Sequence, residues 1–166
     1  EAPVIVKSKD DIKGRSIMAE LIEQSRIHKT QKIDVLMEIQ DKSKRIRLRN
    51  FTSYKKIKTL IKTKDIETRS LIKFYKPNKI KGTSLLTHSK ESESHNQQWM
   101  YFPAMKSVKR LSSSGKNNSF MGSDFSYSDI AGRQLDQDKH RLIKEDEKYY
   151  YVRSIPFEEE EDGYSK

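Results

Sequence analysis

Ile33-Asp34-Val35-Leu36-Met37-Glu38-Ile39-Gln40-Asp41-Lys42-Ser43-Lys44-Arg45-Ile46-Arg47-Leu48-Arg49 is the run from which the architecture follows. Ile33, Val35, Met37 and Ile39 alternate with Asp34, Leu36, Glu38 and Gln40, the two-residue period of a half-buried strand. Asp41-Lys42-Ser43-Lys44 turns the chain, and Ile46 and Leu48 then alternate with Arg45, Arg47 and Arg49. The segment therefore reads as a β-hairpin with one apolar face and one mostly charged face.

Strand signals continue on the C-terminal side, through Phe51 to Lys62 and Ser70 to Tyr75, where Pro77 and Asn78 break them. Thr83 to Thr87, Gln97 to Phe102 and Lys106 to Leu111 read as further strands, the last two joined at Pro103-Ala104. Successive strands with short connections predict an antiparallel meander. On the N-terminal side, residues 1–10 read as a lead-in. Ile17, Met18, Leu21 and Ile22 recur at helical spacing between Asp11 and His28, with Ser16 or Asp11 as the cap. Residues 88–96 read as an exposed polar loop, Arg141 to Lys144 with Tyr149 to Ser154 as a last hairpin, and 156–163 as an acidic loop. Residues 112–132 differ, because Phe120, Met121, Phe125 and Tyr127 are embedded among Ser, Gly and Asn: this loop has apolar groups to bury. The class is mainly β with one helix, in a single domain over 1–166.

Composition narrows the function. A chain of 166 residues argues for one domain. Leu, Ile, Val and Phe together make only about 22% of it, so any core is thin. No cysteine is present, which removes disulfide frameworks, thiolate metal sites and cysteine nucleophiles. No run approaches the ~18 apolar residues of a membrane-crossing helix. The formal net charge is +10. Up to Arg110 there are 26 basic and 12 acidic residues, and beyond it 8 and 12, so the excess of cations lies in the first part. Phosphate-bearing partners, nucleic acid or lipid, fit such a field.

Catalytic and metal-binding patterns are missing. His28, His88, His95 and His140 have no ligand spacing, and Gly115-Lys116 lacks the rest of a phosphate loop. Asp124 and Asp129 sit in a turn-rich loop with no base beside them and read as capping residues. Neither an enzymatic activity nor a cofactor or metal is expected. The basic positions Arg45, Arg47, Arg49, Lys56, Lys58 and Lys62 fall on alternate positions and are expected on the outer face of the hairpin, where Lys and Arg also guard sheets against association. Nucleic-acid readout would need stacking aromatics among them on one face. Trp99-Met100-Tyr101-Phe102 and the loop aromatics suggest instead a curved sheet with a helix and a greasy loop over its concave side, enclosing an apolar pocket.

Three ordered blocks carry a resemblance: Phe74-Tyr75-Lys76-Pro77-Asn78-Lys79-Ile80-Lys81-Gly82-Thr83-Ser84-Leu85-Leu86, Gln98-Trp99-Met100-Tyr101-Phe102-Pro103-Ala104-Met105-Lys106-Ser107-Val108-Lys109-Arg110-Leu111, and Ser119-Phe120-Met121-Gly122-Ser123-Asp124-Phe125-Ser126-Tyr127-Ser128-Asp129-Ile130. They resemble the LolA-like family of periplasmic outer-membrane lipoprotein-sorting proteins, most strongly over about residues 66–155, and Ile17 to Gln24 resembles the helix that opens the family domain.

The resemblance implies an unclosed antiparallel β-barrel or strongly curved sheet, covered on its concave side by the N-terminal helix and a helical or loop lid. It implies a periplasmic protein whose export signal has been removed ahead of Glu1, and a carrier of the acyl chains of a lipoprotein or lipid toward the outer membrane. An inner-membrane lipid exporter or an outer-membrane acceptor is the partner it implies. The chain stops at Tyr164-Ser165-Lys166, which reads as the start of a strand, so the family's further C-terminal strands are expected to be missing. On this reading Ile17 and Leu21 from the helix, with Phe120, Met121, Phe125 and Tyr127, form a mobile cover. Ile33, Val35, Met37, Ile39, Ile46, Leu48, Trp99 and Tyr101 form the lipid-binding wall. Arg45, Arg47, Arg49, Lys56 and Lys58 would dock to an anionic membrane surface or an acidic partner. The alternatives are a basic nucleic-acid-binding module, and a non-transporting protein-interaction or sensor domain on the same fold.

Overall fold

The computed structural model describes residues 8–93 and 95–157. Most of the lead-in, the acidic loop past Phe157 and the Tyr164–Lys166 segment lie outside the described residues. The described residues fall into two compact units: 28–132, and 8–27 together with 133–157.

In the first unit, β1 (Thr30–Gln40), β2 (Ile46–Thr59), β3 (Ile66–Lys76), β4 (Ser84–Lys90), β5 (Gln97–Phe102) and β6 (Ser107–Arg110) form one antiparallel sheet in chain order. Each strand pairs with its sequence neighbour, and among the described residues the sheet is not closed: the mainly β antiparallel meander expected from the alternation, unclosed as the resemblance implies, is the observed fold. The β1–β2 turn is fixed by Asp41, whose carboxylate accepts the backbone N–H groups of Ser43 at 2.9 Å and Arg45 at 3.0 Å and the Arg45 Nε–H at 2.9 Å. The boundary of β4 departs from expectation. His88 and Ser89 stay in the ladder opposite Arg69 and Thr68, so the polar loop begins only after Lys90.

Residues directly opposed in antiparallel strands share a face. Phe51, Phe74, Ile72, Leu85 and Met100 are thereby brought to one side, where they form the buried core with Phe120. The 112–132 segment lies on that side and contains two short helices, α2 (Ser113–Lys116) and α3 (Tyr127–Ala131). Ser112 caps the first. Ser126 and Asp129 close a capping box on the second, in keeping with the capping role read for Asp129.

The second unit holds α1 (Lys9–Ser25) against the hairpin of β7 (Asp138–Glu145) and β8 (Tyr150–Pro156). The helix starts earlier than its apolar period suggests: Ser8 is the cap, and Asp11 is the third helical residue that returns the hydrogen bond. Gly14 explains how helix and strand meet. A Cβ built there would stand 2.6 Å from the Leu142 nitrogen, so only glycine admits this approach. Lys13–Glu145, Arg15–Asp136 and Lys139–Asp11 pair across the same contact. His140 is buried, its ring nitrogens 2.8 Å from the Ser154 hydroxyl and 3.1 Å from the Leu135 carbonyl, which assigns it a structural place.

Candidate functional site

The register of the six-stranded sheet places Lys32, Tyr54, Leu71, Leu86, Trp99 and Arg110 in one row, each opposite the next, on the face away from Phe120. Four apolar or aromatic groups in the middle are bounded by a cation at each end. At about 4.8 Å per strand the apolar stretch from β2 to β5 is about 14 Å long. Tyr54, Leu71, Leu86 and Tyr101 are each 37–38% exposed, and Val108 beside them 63%. On a folded sheet such a contiguous apolar surface marks an interaction site more often than a lone exposed leucine does.

Two open grooves of about 430 Å³ each run along this row. One is lined by Lys32, Tyr54, Lys56, Arg69, Leu71 and Leu86, the other by Arg69, Leu71, Leu86, Trp99, Tyr101 and Val108. They share Arg69, Leu71 and Leu86, so they form one trough across the sheet. Volumes of this size lie in the range that small-molecule sites occupy, about 300–1,000 Å³.

Beside the apolar row runs a polar one, Thr30, Lys56, Arg69, His88 and Gln97. Glu67 is buried in the sheet among these groups. Arg69 Nε donates to its carboxylate at 2.7 Å and His88 Nε2 lies 2.5 Å from it. The Arg69 hydrogen bond, with the charges of Arg69 and His88, holds the Glu67 carboxyl below the ordinary glutamate range against the opposing effect of burial. Farther along, Tyr54 and Tyr75 share a hydrogen bond that pushes the Tyr54 hydroxyl up and holds that of Tyr75 down. Both tyrosines thus have their polar ends tied within the sheet face.

The opposite face is filled. Phe120 is completely buried, with its ring centroid 5.8 Å from that of Phe74, 6.2 Å from Phe51 and 5.5 Å from Tyr127. Gln98, also fully buried, donates from Nε2 to the Tyr127 carbonyl at 2.9 Å and to Thr87 at 3.3 Å, tying the 112–132 segment to the sheet. Further ties run from the Phe120 N–H to the Phe125 carbonyl at 2.6 Å, and from the Tyr127 N–H to the Asn118 carbonyl at 3.2 Å. Phe120 and Tyr127 therefore close a core in this structure, where the sequence suggested a mobile cover. Phe125 points away, 57% exposed. Met121 is half-buried at the edge of the cluster, with its sulfur 3.9 Å from the Tyr127 hydroxyl.

The expected wall is divided between the two faces. Ile33, Val35, Met37 and Ile39 stand on the Phe120 side. Ile46 and Leu48, opposite Gln40 and Glu38, stand with Trp99 and Tyr101 on the trough side. Met100, not Trp99, faces Phe120. Ile17 and Leu21 belong to the helix of the other unit, where Leu21 is 56% exposed.

The proposed docking cations are likewise not on one face. Arg47 and Arg49 oppose Ile39 and Met37 on the Phe120 side. Arg47 donates there to the Gly122 carbonyl at 3.4 Å, and Arg49 to the Leu48 carbonyl at 3.1 Å. Arg45 is paired with Asp41 in the turn, whereas Lys56 and Lys58 line the trough side. The cause is parity: seven residues separate Arg49 from Lys56, and an odd step reverses the side. Tyr54, Arg69, Leu71, Leu86 and Val108 were not singled out from the sequence, although each lies on the exposed phase of its strand.

A family model described as an uncharacterized protein matches residues 66–166. Among solved structures, a DUF1329 family protein from Desulfovibrio piger is similar at 27% identity with a TM-score of 0.75, over 90% of this chain and 63% of its own. A candidate outer-membrane lipoprotein-sorting protein domain from Vibrio parahaemolyticus is similar at 26% identity with a TM-score of 0.74, over 90% of this chain and 62% of its own. This chain thus spans less than two thirds of the length of either structure. No curated protein matches it.

Proposed function

Since the chain belongs to the LolA-like family of outer-membrane lipoprotein-sorting proteins, we propose that it is a periplasmic carrier, without catalytic activity, of the acyl chains of a lipoprotein or lipid bound for the outer membrane. The observation that carries this reading is the apolar row Tyr54, Leu71, Leu86 and Trp99, the first three exposed and Trp99 half-buried along a trough instead of packed into the core. A sixteen-carbon chain loses about 13 kcal/mol on entering water, at about 0.8 kcal/mol per methylene. A trough open on one side that covers half of that chain recovers about 6 kcal/mol, corresponding to a Kd in the tens of micromolar. Affinity of that order suits a carrier, which must release what it binds.

The test is titration with a fluorescent sixteen-carbon fatty acid. Saturable uptake is expected, and it is expected to be lost in Leu71→Glu and Leu86→Glu, whose partly exposed positions tolerate a charge in the fold. Uptake that does not saturate, or that both variants retain, overturns the proposal.

A second reading has one observation in its favour. Tyr54, Trp99 and Tyr101 share a face with Lys32, Lys56 and Arg110, the mixture that single-stranded nucleic-acid binding uses. Leu71 and Leu86 interrupt that aromatic series at its centre, where a base would find no ring to stack on. Retardation of a single-stranded oligonucleotide at low salt would favour this second reading over the carrier.

A further inference from the structure

We propose that the row Lys56–Arg69–His88, one step along the strands from the apolar row, is a headgroup site, and that the ligand of the trough is an amphiphile with an anionic head, phosphate or carboxylate. This rests on the carrier reading and adds the class of cargo. Strand geometry sets the spacing: in every strand the two rows are two residues apart, about 6.6–6.8 Å, so a head held at Arg69 delivers its first methylenes onto Leu71 and Leu86. Arg69 lines both grooves, at their junction. A small third cavity of about 140 Å³ beside it is lined by Lys56, Lys58, Glu67 and Arg69.

The charge balance favours an anion. Glu67 is the carboxylate of this cluster, and it remains ionised beside Arg69. It offsets one of the three charges of Lys56, Lys58 and Arg69, leaving a surplus of two cations before His88 is counted. The Arg69 side chain is 62% exposed even while it binds Glu67, and its planar fork suits a second, bidentate oxyanion partner. A neutral head would leave these cations beside hydrocarbon without a counter-charge.

The test compares dodecyl phosphate with dodecyl maltoside, both below micelle-forming concentration, with inorganic phosphate as the tailless control. At about 1 kcal/mol per cation, dodecyl phosphate is expected to bind about thirtyfold more tightly than the maltoside. Lys56→Ala is expected to cost about fivefold more for the phosphate than for the maltoside, with its circular dichroism spectrum verifying that the variant is folded. Added salt is expected to narrow the gap. Equal affinities for the two detergents would overturn the headgroup site and leave the carrier reading standing. Displacement of dodecyl phosphate by an equal concentration of inorganic phosphate would show an anion site independent of any tail and also overturn it. Failure of both detergents to bind would overturn the headgroup site and the carrier reading together.

Discussion

Replacing Phe120 by alanine asks whether the 112–132 segment is core or cover. Phe120 is fully buried and meets three rings at centroid distances of 5.5–6.2 Å. Truncating a buried phenylalanine costs about 3–5 kcal/mol, of which each edge or tilted ring pair accounts for about 0.5–1.5 kcal/mol beyond its buried area. A loss of about 4 kcal/mol is a large part of the 5–15 kcal/mol that stabilises an ordinary domain. With a urea dependence of about 2 kcal/mol per molar, the midpoint should fall by about 2 M. Trp99 is the chain's one tryptophan and lies in the same sheet on the opposite face, so its fluorescence follows unfolding of that unit. Phe125→Ala, at an exposed position, is the control and should shift stability by no more than about 0.5 kcal/mol. If Phe120→Ala moves the midpoint by less than about 0.5 M, the ring leaves its pocket at little cost. The segment would then act as a detachable lid and the assignment of Phe120 to the core would be wrong.

Other consequences can be measured separately. Gly14→Ala, which in a free helix gains about 1 kcal/mol, should here cost about 1–3 kcal/mol because the added methyl meets the β7 backbone; a melting temperature by circular dichroism that rises instead of falling would refute the close helix–strand contact. Because the folded-state pKa of Glu67 is depressed, its contribution to stability is complete above the ordinary glutamate range and is lost as pH falls through the folded value. Denaturation of wild type and Glu67→Gln at stepped pH should therefore show a constant gap at neutral pH that closes on acidification, and a gap that widens toward acid would contradict the Arg69 pairing. Gln98→Leu leaves the Tyr127 carbonyl without its donor at a buried site, so amide exchange in 112–132 should accelerate while the strands stay protected.

The strands were readable because one buried face imposes a period of two, and the β1–β2 hairpin, with its Asp41 turn, was legible almost residue by residue. The site was less legible, for a physical reason. Where both phases of a strand are apolar, as at Trp99-Met100-Tyr101-Phe102, alternation carries no sign, and only the pairing of Leu85 with Met100 beneath Phe120 settles which side is core. Leu71 and Leu86 were passed over for the same cause. Each stands next to a core residue, Ile72 or Leu85, and becomes a trough residue only through register across four strands. The division of Arg47 and Arg49 from Lys56 and Lys58 was within reach, since odd and even positions of one unbroken strand cannot share a side. Burial of Phe120 depended on long-range contacts that no local pattern encodes.

Trp99 supplies the most direct measurement. A sixteen-carbon fatty acid brominated near the middle of its chain quenches tryptophan only at close contact, and Trp99 sits within the apolar row. Saturable quenching by the brominated acid, absent with the unbrominated one and abolished by Leu86→Glu, is the expected result. Binding that leaves Trp99 fluorescence untouched would place the chain elsewhere on the protein, and an absence of binding would remove the carrier function itself.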